Sequence, residues 1–442
     1  MVTKEALETL VVDSGLWAGE RRLTHKFVLS PEVFEISNLQ VAHLQQLGVA
    51  VRDCLSGLGR IAAIAFDPKL THGSCWGMIR RALNTGVPEG YRQIQTLHPG
   101  RGPAICKVDM IACLGFGGWG IDTIALPVVE VDGHNKHGLG YSTLAAQMRD
   151  VIAPQAKTLP GVAKMLAKLI RNKNEGGNQA GLVYADQERF YLPEFLILRK
   201  ALEQLGIELV VAGEKELVVR NGLPQTKDGK PLPPLLVDFP FLYWSPELNA
   251  ALAAKYREEH IDFLIPPKPF MGSKAALAIL CNSEQDARLE AILRSQIPQE
   301  SLERLRFYVP KTFLASKGTA YLKKIMEELG GLTNRLIIKP AVSCGMKKTA
   351  MSGDPHFSTI LKQAAGSYYH YVLQEEVEPD ALLFQYFDDD GQMREGAWYL
   401  RITAHFCVGE LADIVVTARR DKHVHGAKDC LQLGTIIKPE PS

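Results

Sequence analysis

Between residues 178 and 211 the hydrophobic pattern of the chain changes from strand to helix and back to strand, and this change constrains the fold more than any other feature. Gly181-Leu182-Val183-Tyr184-Ala185 is an apolar run of strand length. Pro193 to Leu205 places Phe195, Leu198, Leu202 and Leu205 on one helical face, and Gly206 stops it. Ile207-Glu208-Leu209-Val210-Val211 is the next strand. Strand, helix, strand in that order argues for a parallel βαβ unit in the middle third. Upstream, Val162, Met165, Leu166, Leu169 and Ile170 mark an amphipathic helix that follows Pro160, and the polar stretch 171–178 separates the two regions. The last third differs. Leu336–Pro340, Tyr371–Gln374, Leu382–Phe387 and Trp398–Thr403 read as strands, with Asp389-Asp390-Gly391 as a hairpin turn, which predicts an antiparallel sheet.

A chain of 442 residues has room for two or three such units. Its 46% hydrophobic and 22% charged residues exclude a mainly disordered or fibrous chain. Fifty basic residues balance 49 acidic ones, so overall charge gives no case for nucleic acid or membrane partners. The polar N-terminus and the lack of a long apolar run lead to the expectation of a cytoplasmic protein. The eight cysteines are scattered, which suggests neither a zinc site nor a disulfide framework. The first hundred residues carry no motif; Trp17, His25, Trp76 and Arg80 fit a specificity pocket or, as aromatic residues more often do, a core.

Gly115-Phe116-Gly117-Gly118-Trp119-Gly120 has the glycine spacing of a dinucleotide-binding loop, but Ile121 to Val131 is β-rich and contains Pro127, where such a loop must open a helix. A loop joining two strands is the simpler reading. With alternation of side chains, Lys107 and Asp109 then share a face of one arm, and Glu130 and Asp132 share a face of the other. Asp109, Glu130 and Asp132 are in this way candidate ligands for magnesium, a hard ion held by carboxylates together with substrate phosphates. The alternative is a strand with one solvated acidic face.

A second cluster lies downstream. Ser273 can cap a helix that has Lys274 in its first turn, where a phosphate could bind. Lys339 ends a strand and leads into a small basic loop, 343–353, with Ser343 and Gly345, whose backbone N–H groups can fold over phosphates. Gln374-Glu375-Glu376-Val377-Glu378 is a strand broken by acidic residues, suited to a hinge that reads an adenine edge while Glu378 or Asp380 holds a ribose hydroxyl. Each feature alone is equally an ordinary helix start, a surface lysine or a strand end with solvated charges.

In their order, these features resemble the nucleotide half of an ATP-grasp ligase. The metal-binding pair precedes the lysines here, which resembles the circularly permuted branch typified by glutathionylspermidine synthase, where Arg-x-Asp and Glu-x-Asn come first. This chain has Lys107-x-Asp109 and Glu130-x-Asp132, and Pro266-Pro267-Lys268-Pro269 leads into Ser273-Lys274 as in that branch. The resemblance covers about residues 100 to 420. It implies an α/β (α+β) class, a circularly permuted ATP-grasp fold with a preATP-grasp-like α/β domain. Its divisions would be 1–175 with the metal-binding strands, 176–270 the preATP-grasp-like domain, and 271–442 the nucleotide-binding lobes.

The resemblance further implies ATP and Mg2+ as cofactors, with Lys274, Lys339, Ser343, Gly345, Gln374, Glu375, Val377 and Glu378 on the nucleotide. Lys107, standing where the family has an arginine, would stabilise the transferring phosphoryl group. Read from the residues themselves, Arg401 on its apolar strand would join it or form an internal ion pair, and Asn135, His137, Gly138, Gly140 and Ser142, in a polar loop after the acidic strand, would face the substrate or form a surface turn. Small-molecule carboxylate and amine substrates are then the partners. The expected reaction is ATP-dependent amide or peptide bond formation through an acyl phosphate, releasing ADP. Lysine at 107 for arginine gives a point charge in place of a two-pronged donor, and Asp132 for asparagine adds a negative charge. These departures motivate the alternative of a catalytically inactive nucleotide-binding sensor or partner protein. An oxidoreductase using the 115–120 loop is a third reading.

Overall fold

The structure is a computed structural model that describes residues 2–17, 27–69, 74–114, 124–134, 136–220, 223–241, 246–316, 336–342, 349–422, 424 and 429–439. Its central element is a seven-stranded sheet that draws on both ends of the chain. Across it run Phe34–Ile36, Leu431–Ile437, Glu410–Arg419, Met393–Cys407, Ile105–Ile111 and Val128–Asp132, while Ala381–Phe387 pairs with the first half of Met393–Cys407. All neighbours are antiparallel except Phe34–Ile36, which runs parallel to Leu431–Ile437.

Alternation divides this sheet into two chemically distinct faces. Val108, Met110, Ile402, Ala404, Ile414, Val416 and Leu433 enter the main core, where they meet the 28-residue helix Asn38–Ala65. That helix starts at a capping box, Ser37 with Gln40, and buries Leu44, Leu47, Val51, Leu55, Leu58 and Ile61 along one stripe. Each leucine so buried contributes about 1.5–3 kcal/mol. Gly48 lets the helix touch the sheet: a β-carbon there would stand 2.4 Å from Gly409 O and from the Phe406 ring. The opposite face of the sheet carries the polar residues described below.

The middle third forms the parallel sheet that its periodicity predicts, in the order Asp262–Phe263, Leu235–Asp238, Gln179–Tyr184, Glu208–Gly213, with helix Leu192–Gln204 as a crossover. A third, antiparallel sheet is built from Thr312–Ser316, Tyr368–Glu375, Leu336–Pro340 and Ala350–Met351. The strand read at Trp398–Thr403 is the middle of a longer one, Met393–Cys407, whose two halves pair with different partners. The turn at Asp389–Gly391 joins Ala381–Phe387 to it, with Gly391 at φ +80°. The glycine loop 115–120 lies outside the described residues, but its flanks Cys113–Leu114 and Ile124–Ala125 pair as an antiparallel hairpin and the chain continues into another strand. A dinucleotide loop would open a helix at that point. No helix among the described residues is long and apolar enough to cross a membrane.

Candidate active site

Antiparallel register turns the polar face of the large sheet into rows. Asp132, Lys107, His405 and Asp413 stand opposite one another in one row; Glu130, Asp109 and Thr403 form the next; Arg401 and Thr417 follow. Cross-strand neighbours on one face have β-carbons about 4.5–5.5 Å apart, so these side chains interact directly. Thr403 Oγ1 donates to Asp109 Oδ1 at 2.6 Å, and Lys107 Nζ lies 3.8 Å from Asp132 Oδ2. Burial alone would raise the Asp109 pKa, but Arg401, Lys107 and the Thr403 hydroxyl outweigh it and hold the carboxyl below its ordinary value. Burial likewise works against the charge on Lys107, and the carboxylates of Asp109, Asp132 and Glu130 prevail, raising its pKa. Arg401 Nε is buried without a hydrogen-bond partner among the described residues.

The basic half comes from the far side of the sequence. Ser273 caps the helix Lys274–Cys281 through Ala275 N–H, and Lys274 N–H donates to Ala341 O at 2.9 Å, tying the helix start to the end of strand Leu336–Pro340. Lys268, fully buried, anchors the lead-in by donating to the carbonyls of His98, Pro99 and Arg101. Lys274 Nζ then reaches Glu130 Oε1 at 3.1 Å. Lys339 is buried, and its Nζ donates to Gln374 Oε1 at 2.6 Å, while Gln374 Nε2 donates to Thr312 Oγ1 at 2.9 Å. Burial pushes the Lys339 pKa down to about 8; Glu130 and Asp109 lie close enough to oppose that shift, and Lys274 adds to it. The acidic strands and the two lysines therefore occupy one site. Gly272 seals the junction: a β-carbon there would stand 2.5 Å from Asp132 Oδ1.

The donor set suits a nucleotide phosphate chain with a divalent cation. The Lys339 ammonium has a neutral amide as its hydrogen-bond partner and no carboxylate within ion-pair distance among the described residues, and a phosphate would supply that anion. Asp109, Glu130 and Asp132 line one face as oxygen donors. Among the described residues no group of His, Cys, Asp or Glu is arranged to enclose a metal ion by itself. Each carboxylate has a protein partner: Thr403 donates to Asp109, Lys274 to Glu130, and His134 N–H to Asp132 Oδ1 at 3.1 Å. Magnesium commonly takes one or two carboxylates and completes its shell with water and substrate oxygens.

The remaining sequence-derived candidates are placed as follows. Ser343, Gly345 and Asn135 lie outside the described residues. Gln374 spends its side chain on Lys339 and Thr312, and Glu375 N–H donates to Lys311 O at 2.8 Å within the sheet. Val377 is half-buried in the segment after that strand. Glu378 is exposed and pairs with Lys422 at 2.7 Å. Gly140 and Ser142 are packed against protein: a β-carbon on Gly140 would stand 2.0 Å from Glu194 O, and Ser142 Oγ donates to Asp413 Oδ2 at 2.9 Å. The structure adds Thr403, His405, Thr312 and Gly272. Thr403 and His405 were legible by counting in twos from Arg401; Thr312 and Gly272 carry no sequence signal.

In sequence, no protein-family model and no curated protein matches this chain. Solved structures do match. A glutathione synthetase-like effector from Globodera pallida, in its apo form, aligns over 99% of this chain and 98% of its own, with a TM-score of 0.53 and 13% identity. A putative gamma-glutamylcysteine synthetase from Methylobacillus flagellatus aligns over 72% of this chain and 76% of its own at 12% identity, with a TM-score of 0.34, too low to indicate a shared fold. The chain thus has a mixed α/β fold similar over its whole length to a glutathione synthetase-like protein.

Proposed function

We propose that the chain is an ATP-dependent carboxylate–amine ligase of the circularly permuted, glutathionylspermidine synthase-like branch of the ATP-grasp ligases. The observation that carries this reading is the meeting of Glu130 with Lys274 at 3.1 Å, beside a desolvated Lys339, from segments more than a hundred residues apart in sequence. Lys274 and Lys339 would bind the phosphates of ATP. Asp109, Glu130 and Asp132 would hold Mg2+, which supplies charge neutralisation at the phosphates. A substrate carboxylate would attack the γ-phosphorus, releasing ADP and leaving an acyl phosphate; an amine would then displace inorganic phosphate to form the amide. Lys107 and Arg401 face that centre and would stabilise charge on the transferring group.

The two departures from the family pattern lie across from each other. Lys107 and Asp132 are register partners 3.8 Å apart, so the charge added at 132 sits against the lysine. This pairing supports retention of a working site, while the substitutions themselves motivate the second reading, a protein that binds nucleotide without turnover. ADP release in the presence of MgATP and panels of amino acids, peptides and polyamines separates them. Acceptor-dependent ADP and phosphate in equal amounts supports the ligase; MgATP binding with no turnover across the panels supports the sensor.

A further inference from the structure

His405 has no assigned role, and its surroundings are unusual. It is 1% exposed, and neither ring nitrogen has a hydrogen-bond partner among the described residues. Leaving a buried polar group unpaired costs its desolvation with nothing in return, so such a group calls for a partner in some state of the protein. Asp413, on one side of His405 in the row, already receives Ser142 Oγ–H and Ile414 N–H, each at 2.9 Å, with Arg149 at 3.7 Å. Gly138 walls the ring: a β-carbon there would stand 3.4 Å from His405 Cε1 and 3.7 Å from Nε2. On the other side is Lys107, whose one ion pair within 4 Å among the described residues is that with Asp132 at 3.8 Å. Burial, and then the Lys107 charge, push the His405 pKa down to about 3, so the imidazole is neutral and keeps a lone pair.

This inference rests on the ligase reading. If Asp132 turns to a divalent cation, Lys107 loses its direct ion-pair partner, and His405 is the cross-strand neighbour able to accept from it. We propose that His405 is a positioning residue for phosphoryl transfer, accepting one Lys107 N–H when MgATP is bound and so aiming the ammonium at the transferring phosphate. A carboxylate in that place would hold Lys107 equally well but cancel its charge; a neutral acceptor orients it and leaves the charge available.

The test is a double-mutant cycle read by calorimetric titration with the magnesium complex of a non-hydrolysable ATP analogue. The proteins are wild type, His405→Phe, Lys107→Met and the double variant. Loss of one hydrogen bond to a charged group predicts about tenfold weaker binding for His405→Phe. The double variant should bind like Lys107→Met alone, and His405→Gln, which keeps an acceptor, should recover to within about twofold of wild type. Unchanged binding by His405→Phe, or effects that simply multiply, overturns the inference and leaves the ligase reading standing. Failure of the wild-type chain to bind the analogue refutes the ligase reading and removes the basis of the inference with it. Should His405→Phe not fold, 15N-histidine spectra of the wild-type chain carry the test. The His405 ring nitrogens, assigned by their loss in His405→Gln, should shift on adding the analogue, and should not shift in Lys107→Met.

Discussion

Two regions of this molecule bury similar side chains with opposite results. Beyond the carboxyl ends of the parallel sheet, Lys136 is 3% exposed and sits 2.6 Å from Asp238 and 2.9 Å from Glu188. His137 bridges Glu188 at 3.0 Å and Glu194 at 3.3 Å, and Glu194 also receives Gly138 N–H at 2.9 Å. At the candidate site, Lys339 leans on a neutral amide, Lys107 is 3.8 Å from its nearest paired carboxylate, and Arg401 and His405 have nitrogens without a partner among the described residues. The pKa shifts follow: Lys136 is raised because its carboxylates outweigh the burial, whereas Lys339 is lowered because burial prevails. A buried cation with its own anions is costly to break, as is one saturated by carbonyls like Lys268, whereas Lys339, held by a single neutral amide, leaves room for a ligand's charge.

The largest expected effect breaks the first region. Lys136→Met strands Glu188 and Asp238, and urea unfolding should show a loss of about 3–5 kcal/mol. A loss under 1 kcal/mol, by contrast, would place Lys136 with the ligand-seeking lysines. Next comes Asp413, behind the row, whose carboxyl burial pushes up to about 6 against the pull of Arg149 and Ser142. Between the unfolded carboxylate value near pH 4 and pH 6 the native state then binds more protons, so stability falls as pH rises across that window. With one pKa unit worth about 1.4 kcal/mol, the decline is up to ~3 kcal/mol. Asp413→Asn should flatten it in urea midpoints measured at pH 4 and 6; an unchanged slope would assign it to other groups. Gly272→Ala forces a methyl against Asp132 Oδ1, costing about 1–3 kcal/mol by overpacking and weakening Mg2+-dependent nucleotide binding. Equal affinity for MgATP in that variant would detach Asp132 from the site. The smallest effect is at Glu378, where the exposed pair with Lys422 predicts that Glu378→Gln changes stability by less than about 0.5 kcal/mol.

What the sequence revealed was what depends on local period. Alternation placed Lys107 and Asp109 on one face, and Glu130 and Asp132 on one face, and the two strands do pair. The parallel middle and the antiparallel end were readable for the same reason. Pairings across hundreds of residues were not, because no local pattern states that Met393–Cys407 lies beside Ile105–Ile111. Gln374 shows the limit at one residue: as part of a broken strand it suits a hinge for adenine, and only the fold shows its amide held between Lys339 and Thr312. Helix Asn38–Ala65 carries its apolar stripe openly, but nothing in that stripe tells which sheet it covers.

The claim on which the account stands is that Lys339 waits for a phosphate, and Lys339→Met tests it most directly. Removing the buried charge relieves its desolvation but leaves Gln374 Oε1 without its donor, so urea stability should change little. Calorimetric titration with MgATP should show binding in the wild-type chain and a loss of at least about thirtyfold in the variant, the scale of one charge-assisted contact. Undiminished affinity in a folded Lys339→Met protein would contradict the account.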